Sequence, residues 1–220
     1  MNNDVMNAGY EKYYQHVRTE LIDEIPRGEH RILEVGCAEG ATCLALKNKG
    51  CASETVGIEL ISEAAAIAKK NLDHVVCGDL EKLTLSESWF IEDAFDYIIC
   101  GDVLEHLNDP WSQLKRLSKF LKPGGKIIVS LPNIRYYGVS FPLIFKDDWE
   151  YRDSGILDST HLRFFTKKTG RKLLIDAGLS EVNCVPLIHR RRDKTLSKCS
   201  FGLLTGLVSP QWVLTGIKSI

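Results

Sequence analysis

Five strand-length runs of nearly unbroken apolar character constrain this chain more than any other feature. RILEVG (31–36), TVGIEL (55–60), HVVCGD (74–79), FDYIICGD (95–102) and KIIVSLPN (126–133) read as strands. Longer amphipathic stretches separate them. ATCLALKNKG (41–50) reads as a helix ended by Gly50, ISEAAAIAKKNL (61–72) as a helix capped by Ser62, and PWSQLKRLSKFL (110–121) as a helix opened by Pro110. A strand apolar at consecutive positions is buried on both faces. The alternation with helices supplies both covers, so the pattern predicts a parallel sheet with helices on either side. Further on, Thr166 caps KKTGRKLLIDAG, whose Gly178 ends it, and VNCVPLIH and QWVLTGIK read as two closing strands. In such a sheet a ligand lies beyond the carboxyl ends of the strands, where the strand order reverses. The residues just after each early strand are therefore the candidates for a site.

The bulk properties narrow the field. At 220 residues the chain fits one domain. Its formal net charge of -1, from 28 basic and 29 acidic residues, gives no overall attraction for a polyanion, so no nucleic-acid partner is expected. The seven cysteines are odd in number and show no CxxC spacing, which argues for a reducing compartment and against a structural zinc site. The N-terminus is polar and acidic, unlike a signal peptide. The most apolar stretch, FGLLTGLVSPQWVLTGI, is broken by Pro210 and three glycines; it reads as a short helix, a turn and a strand rather than a membrane span. A cytoplasmic protein is expected.

The strand ends carry the chemistry. Glu34-Val35-Gly36-Cys37-Ala38-Glu39-Gly40 turns the first strand into a helix, and glycines there let a ligand approach the backbone. Gly36, Ala38 and Ala41 also loosely fit a dinucleotide-binding turn, which keeps an NAD fold as a rival. Glu59 ends the second strand at a distance suited to the two hydroxyls of a ribose; otherwise it is an acid at a helix start. Gly78-Asp79-Leu80 follows the third strand, where Asp79 suits an exocyclic amine and Leu80 a ring. The fourth strand ends in Gly101-Asp102-Val103-Leu104-Glu105-His106-Leu107, and Lys122-Pro123-Gly124-Gly125-Lys126 leads into the fifth.

ILEVGCAEG, GIEL, CGDL, GDVLEHL and LKPGGKIIVS, in that order, resemble the motifs of class I S-adenosylmethionine-dependent methyltransferases. The resemblance implies a Rossmann-like, doubly wound α/β fold: a mostly parallel seven-stranded sheet with a C-terminal antiparallel hairpin. It implies one domain over 1–220, with a helical lid at 1–28 and an acceptor-side insertion at 133–165. It implies S-adenosyl-L-methionine as cofactor, and the NAD reading explains none of the later motifs. Ala38 departs from the family, which usually has glycine there. Carried over, Gly36, Ala38 and Gly40 run past the methionine part, Glu34 orders the turn or meets the amino group, and Glu59, with Leu60 beside it, holds the ribose. Asp79 and Leu80 hold the adenine, and Asp102 and Val103 lie near the sulfonium. Arg18 matches an arginine that can face the cofactor's carboxylate; the alternative is a solvated helix arginine. Asp102-x-x-Glu105-His106 resembles, with Asp for Glu, a pattern that binds magnesium or manganese in some members. The same Glu-His pair starts a helix in metal-free members, and no metal is expected.

Transfer to a hydroxyl needs a base, and histidine is suited to it. Of the six histidines only His106 and His161 fall on the side where the fold puts the site. DSTHLRFFT (158–166) sets Asp158, His161 and Arg163 close together, ahead of Phe164, Phe165 and the capping Thr166. HLRFFT also occurs in methyltransferases of cell-surface polysaccharide, antibiotic-sugar and quinone-type pathways. Two readings stand: His161 as base with Asp158 orienting it and Arg163 steering an anionic acceptor, or a polar latch that fixes the loop. The function expected is methyl transfer to a small-molecule or sugar-containing acceptor, at oxygen. A macromolecular acceptor, RNA or protein, has only the HRRRDK run (189–194) behind it, which a solvated loop also explains. A non-catalytic cofactor-binding protein is the remaining alternative.

Overall fold

The computed structural model describes residues 15–219. The first half of the expected lid, including Tyr10, Tyr13 and Tyr14, lies outside the described residues; the rest carries one short helix, α1 (Thr19–Ile22). The strands are β1 (Arg31–Val35), β2 (Glu54–Glu59), β3 (His74–Cys77), β4 (Phe95–Gly101), β5 (Leu121–Pro132), β6 (Leu179–Leu187) and β7 (Gln211–Lys218). The other helices are α2 (Ala41–Asn48), α3 (Ser62–Ala68), α4 (Pro110–Ser118), α5 (Tyr137–Lys146), α6 (Lys167–Asp176), α7 (Arg191–Cys199) and α8 (Thr205–Val208).

All seven strands form one sheet in the order β3-β2-β1-β4-β5-β7-β6. The first five are parallel, and β7 runs antiparallel to both β5 and β6. The Rossmann-like α/β arrangement that the family resemblance implied is the one observed. Neighbouring residues in each strand face opposite layers. Leu33, Ile98, Ile127 and Val129 join a core with Leu114 and Leu117 of α4 and Leu173 and Leu174 of α6. Ile32, Ile99 and Ile128 join the other core, with Leu21 and Ile22 of α1 and Cys43 and Leu46 of α2. Both faces are covered, which is why the strands read as continuous apolar runs rather than alternating ones. The cysteines among the described residues are all free.

Several local details differ from the sequence expectation. Ser62 does not cap α3: Ile61 is the extended residue before the helix, and the Ser62 hydroxyl donates to the Glu63 carboxylate at 2.9 Å. That helix ends at Ala68, and β5 begins at Leu121 rather than at Lys126. Two helices, α5 and α7, occupy stretches read as a ring-rich connection and a solvated loop. Other details agree. Asp109 accepts from the Ser112 N–H ahead of Pro110, and Thr166 forms a reciprocal capping box with Thr169 at the start of α6.

Strand order reverses between β1 and β4, each of which pairs outward toward an opposite edge. The carboxyl ends of β1 to β4 therefore open onto one crevice, the position where such sheets bind ligands.

Candidate active site

A cleft of about 500 Å³ lies at this switch point, and its wall is made from the ends of β1 to β4. Glu34, Gly36, Ala38, Glu59, Leu60, Asp79, Leu80, Asp102, Val103 and Arg18 all line it. Gly40 does not; it sits at the start of α2 with φ +82°, against Leu72.

The β1–α2 turn is built from left-handed backbone. Gly36 has φ +67°, and a Cβ there would stand 2.5 Å from Val103 Cγ2. Ala38 also has positive φ, +51°, a conformation in which its methyl is disfavoured. Glu59 ties the turn to β2. Its carboxylate accepts the Ala38 N–H at 2.8 Å through one oxygen and the Ile61 N–H at 2.9 Å through the other. It is buried, and each oxygen retains acceptor capacity for a ligand hydroxyl.

Glu34 is buried under the turn, and one of its oxygens has no hydrogen-bond partner. Burial pushes its pKa up to about 7, against the smaller opposing effects of Cys43, Arg18 and Thr42. At the opposite wall, Asp102 has φ +53° and a fully engaged carboxylate. Arg18 pairs with it, Gln211 of β7 donates to it, and the Ser130 hydroxyl donates at 2.8 Å. Arg18 is not a solvated helix arginine. Its side chain lies across Gly101, where a Cβ would meet its Cδ at 2.6 Å. Asp79 holds Lys82 at 2.9 Å and the Glu81 N–H at 2.9 Å. Leu80 is buried beside it, while Leu60 is largely exposed.

The segment 158–166 is stitched to the 3-10 turn Leu104–His106. The Glu105 carbonyl accepts N–H groups from Leu162 at 2.8 Å and Arg163 at 2.9 Å. Phe165 enters the core and pairs its backbone with Asn133. Arg163 spends its guanidinium on carbonyls, with Nε and Nη2 on Asn108 at 3.1 and 2.5 Å and Nη1 on Leu162 at 3.0 Å. His161 is 9% exposed, and its Nδ1 lies 3.0 Å from the Ile156 carbonyl of its own loop. Neither residue lines the cleft, and nor does Asp158. The carbonyl contacts of Arg163 tie its side chain to the backbone of the two segments.

Two imidazoles line the cleft: one, His16, the sequence had placed away from the site, and the other is His106. Its Nδ1 stands 3.3 Å from the Thr160 carbonyl and 3.1 Å from the Thr160 hydroxyl. That hydroxyl gives its proton to Asp158 at 2.6 Å, so both Thr160 oxygens act as acceptors toward the ring. The proton therefore sits on Nδ1, and Nε2 keeps a lone pair. Burial, and next the neighbouring His161, hold the His106 pKa below the usual 6.5, so the ring is neutral at pH 7. The Asp158 carboxylate reaches the His106 ring through the Thr160 hydroxyl. The sequence signal for this was Glu105-His106 directly after the fourth strand; the Thr160 bridge spans 54 residues and left no local trace.

His106 and His161 meet edge to face at 4.7 Å between ring centroids. Glu105 is buried beneath them with neither carboxylate oxygen hydrogen-bonded, and burial, then Asp102, raises its pKa well above the ordinary range. Glu105, His106 and His161 each bring one metal-ligating atom within 4.8 Å of the others. Asp102, the third member of the pattern read from the sequence, is engaged by Arg18, Gln211 and Ser130 instead.

A family model described as a methyltransferase domain matches residues 6–183. Among curated proteins, the ubiquinone biosynthesis O-methyltransferase of Coxiella burnetii is 29% identical over 124 residues, covering 54% of this chain and 50% of that protein. The one from Idiomarina loihiensis is 30% identical over 110 residues, covering 47% and 42%. The chain thus spans about half the length of the curated relatives it matches. Among solved structures, a SAM-dependent methyltransferase from Thermotoga maritima superposes with a TM-score of 0.66 at 19% identity, covering 98% of this chain and 96% of that one. Phosphoethanolamine N-methyltransferase 2 of Haemonchus contortus, solved in complex with S-adenosyl-L-methionine, gives 0.62 at 13% identity, covering 92% and 52%. At such identities the likeness is one of fold.

Proposed function

The chain belongs to the methyltransferase-domain family, and from that membership we propose that it moves the methyl group of S-adenosylmethionine to a hydroxyl oxygen of a small-molecule acceptor. The observation that carries the proposal is the switch-point cleft, which a side-chain-free Gly36, the carboxylate of Glu59 and the imidazole of His106 all line. The residues present fit the cofactor. The space over Gly36 is one that a Cβ would fill, the buried Glu59 suits a ribose diol, and the orphaned oxygen of Glu34 suits an amine. When bound, S-adenosylmethionine supplies a methyl group on a positively charged sulfur, which an oxygen can displace.

The chain's own part is alignment and proton removal. Asp102, fixed by Arg18, Gln211 and Ser130, sets the electrostatics of the β4 end. Nε2 of His106 takes the acceptor's hydroxyl proton, with Asp158 as a positioning residue acting through Thr160. His161 and Arg163 hold the loop that carries Thr160. A hollow of about 300 Å³, lined among others by Tyr136, Arg152, His189 and Arg190, is the space we assign to the acceptor. The oxygen acceptor follows the printed names of the curated relatives, ubiquinone biosynthesis O-methyltransferases.

The test is a methyl-transfer screen over hydroxylated metabolites and sugar nucleotides, followed by variants. His106→Gln lowers kcat by about 100-fold or more and leaves cofactor affinity within about threefold. His161→Gln lowers thermal stability and costs kcat less than about tenfold. The reverse order would return the base to His161. A rate abolished by a chelator and restored by magnesium would make His106 a metal ligand instead.

A further inference from the structure

Helices α5, α7 and α8 together carry an unpartnered apolar face. Phe141 of α5 and Leu196 and Leu204 of the α7–α8 unit line one groove of about 390 Å³. Around it stand large side chains with nothing over them: Ile144 is 68% exposed, Phe145 75%, Phe201 98% and Leu203 87%. Phe145 and Phe141 meet edge to face at 5.7 Å. Scattered apolar residues on a surface need no explanation, but aromatic and aliphatic groups this exposed, grouped on adjoining helices, mark a contact surface.

Charge says what kind of contact. From Arg190 to Leu204 the sequence has five basic residues, Arg190, Arg191, Arg192, Lys194 and Lys198, all exposed. The single acid among them, Asp193, is 1% exposed and pairs with the Arg192 guanidinium at 3.4 Å, which leaves four of the five cations without an acid from this run. The exposed acids Asp147, Asp148, Glu150 and Asp153 follow the end of α5, outside this run. A strongly basic segment next to bare phenylalanine and leucine, in a chain of net charge -1, is the make-up of an interfacial anchor for an anionic bilayer. The rings enter the headgroup boundary while the basic side chains meet the lipid phosphates. A second copy of the chain is a poor occupant. A two-fold contact centred on α7 would set Arg190, Arg191, Lys194 and Lys198 of one protomer against those of the other.

We propose that the α5–α7–α8 face docks the protein onto an anionic lipid surface. The inference is independent of methyl transfer. Co-sedimentation with vesicles of phosphatidylcholine containing about one third phosphatidylglycerol tests it. The wild type pellets with these vesicles, pellets several-fold less with pure phosphatidylcholine, and is released as salt rises. The variant Phe145→Ser/Phe201→Ser/Leu203→Ser, and separately Arg191→Glu/Lys194→Glu/Lys198→Glu, each lower the bound fraction about fivefold or more at unchanged circular dichroism. All the substituted side chains are exposed, so the fold has no call on them. Failure of the wild type to pellet at low salt overturns the proposal, and so does equal binding by the variants. Sedimentation equilibrium that shows a wild-type dimer lost in the ring variant, without lipid binding, also overturns it and assigns the face to self-association.

Discussion

Glu34 is a carboxyl group with no water to hydrate its charge, and stability should record that. Its pKa rises from the ordinary 4.5 to about 7 through burial. Between these values the unfolded chain has released the proton and the folded chain still holds it. The folded state then binds more protons, so stability falls as pH rises across this window and levels off above it. Glu34→Gln removes the slope. Chemical denaturation of both proteins from pH 4.5 to 8 should show the wild type losing up to about 3 kcal/mol relative to the variant. A constant difference would mean that Glu34 is hydrated or already paired. Other single residues were read well or badly according to whether their partners are local. Gly36 was legible because a strand turning into a helix needs left-handed backbone there, and it has φ +67°. The Asp158–Thr160–His106 chain was not, because two of its members lie two residues apart on a loop and the third arrives from another strand end. DSTHLRFFT did announce a polar cluster; it could not announce which histidine the cluster serves.

Among the elements, α6 offers the cleanest test of a capping signal read from sequence. Thr166 accepts from the Thr169 N–H, and the Thr169 hydroxyl accepts from the Thr166 N–H at 2.8 Å. Thr166→Ala removes one half of this box and should cost about 1 kcal/mol, while Thr166→Ser should cost little. For a chain of this length that is a fall in Tm of about 2–4 °C by scanning calorimetry. No fall would show that packing of Leu173 and Leu174 alone holds the helix. The strands and their helices were legible because burial on both faces imposes an apolar run and helical covering imposes period. The two unforeseen helices lack such marks. In α7 the only buried residue is Asp193, so no apolar stripe exists to be seen. In α5 the rings Tyr137, Phe141 and Phe145 do fall at helical spacing, but Pro142 inside the helix argues locally against it. Both helices serve a surface rather than a core, and a surface does not discipline sequence in the same way.

At the scale of the whole molecule, the sheet order decides where chemistry can occur. Reversal between β1 and β4 leaves one crevice with four strand ends around it, and the antiparallel β7 carries Gln211 to the Asp102 carboxylate from the far side. The motifs were visible one after another in the sequence; their convergence on a single wall is a property of the topology. Cofactor binding at that wall is the claim from which the proton acceptor and the acceptor hollow both follow. Isothermal titration calorimetry of the purified chain, with S-adenosylmethionine in one series and NAD in another, measures it directly. The account predicts saturable one-to-one binding of S-adenosylmethionine, no heat with NAD, and loss of the first signal in Gly36→Val, whose side chain would fill the space against Val103. No saturable binding of S-adenosylmethionine, or binding that Gly36→Val leaves intact, would contradict it.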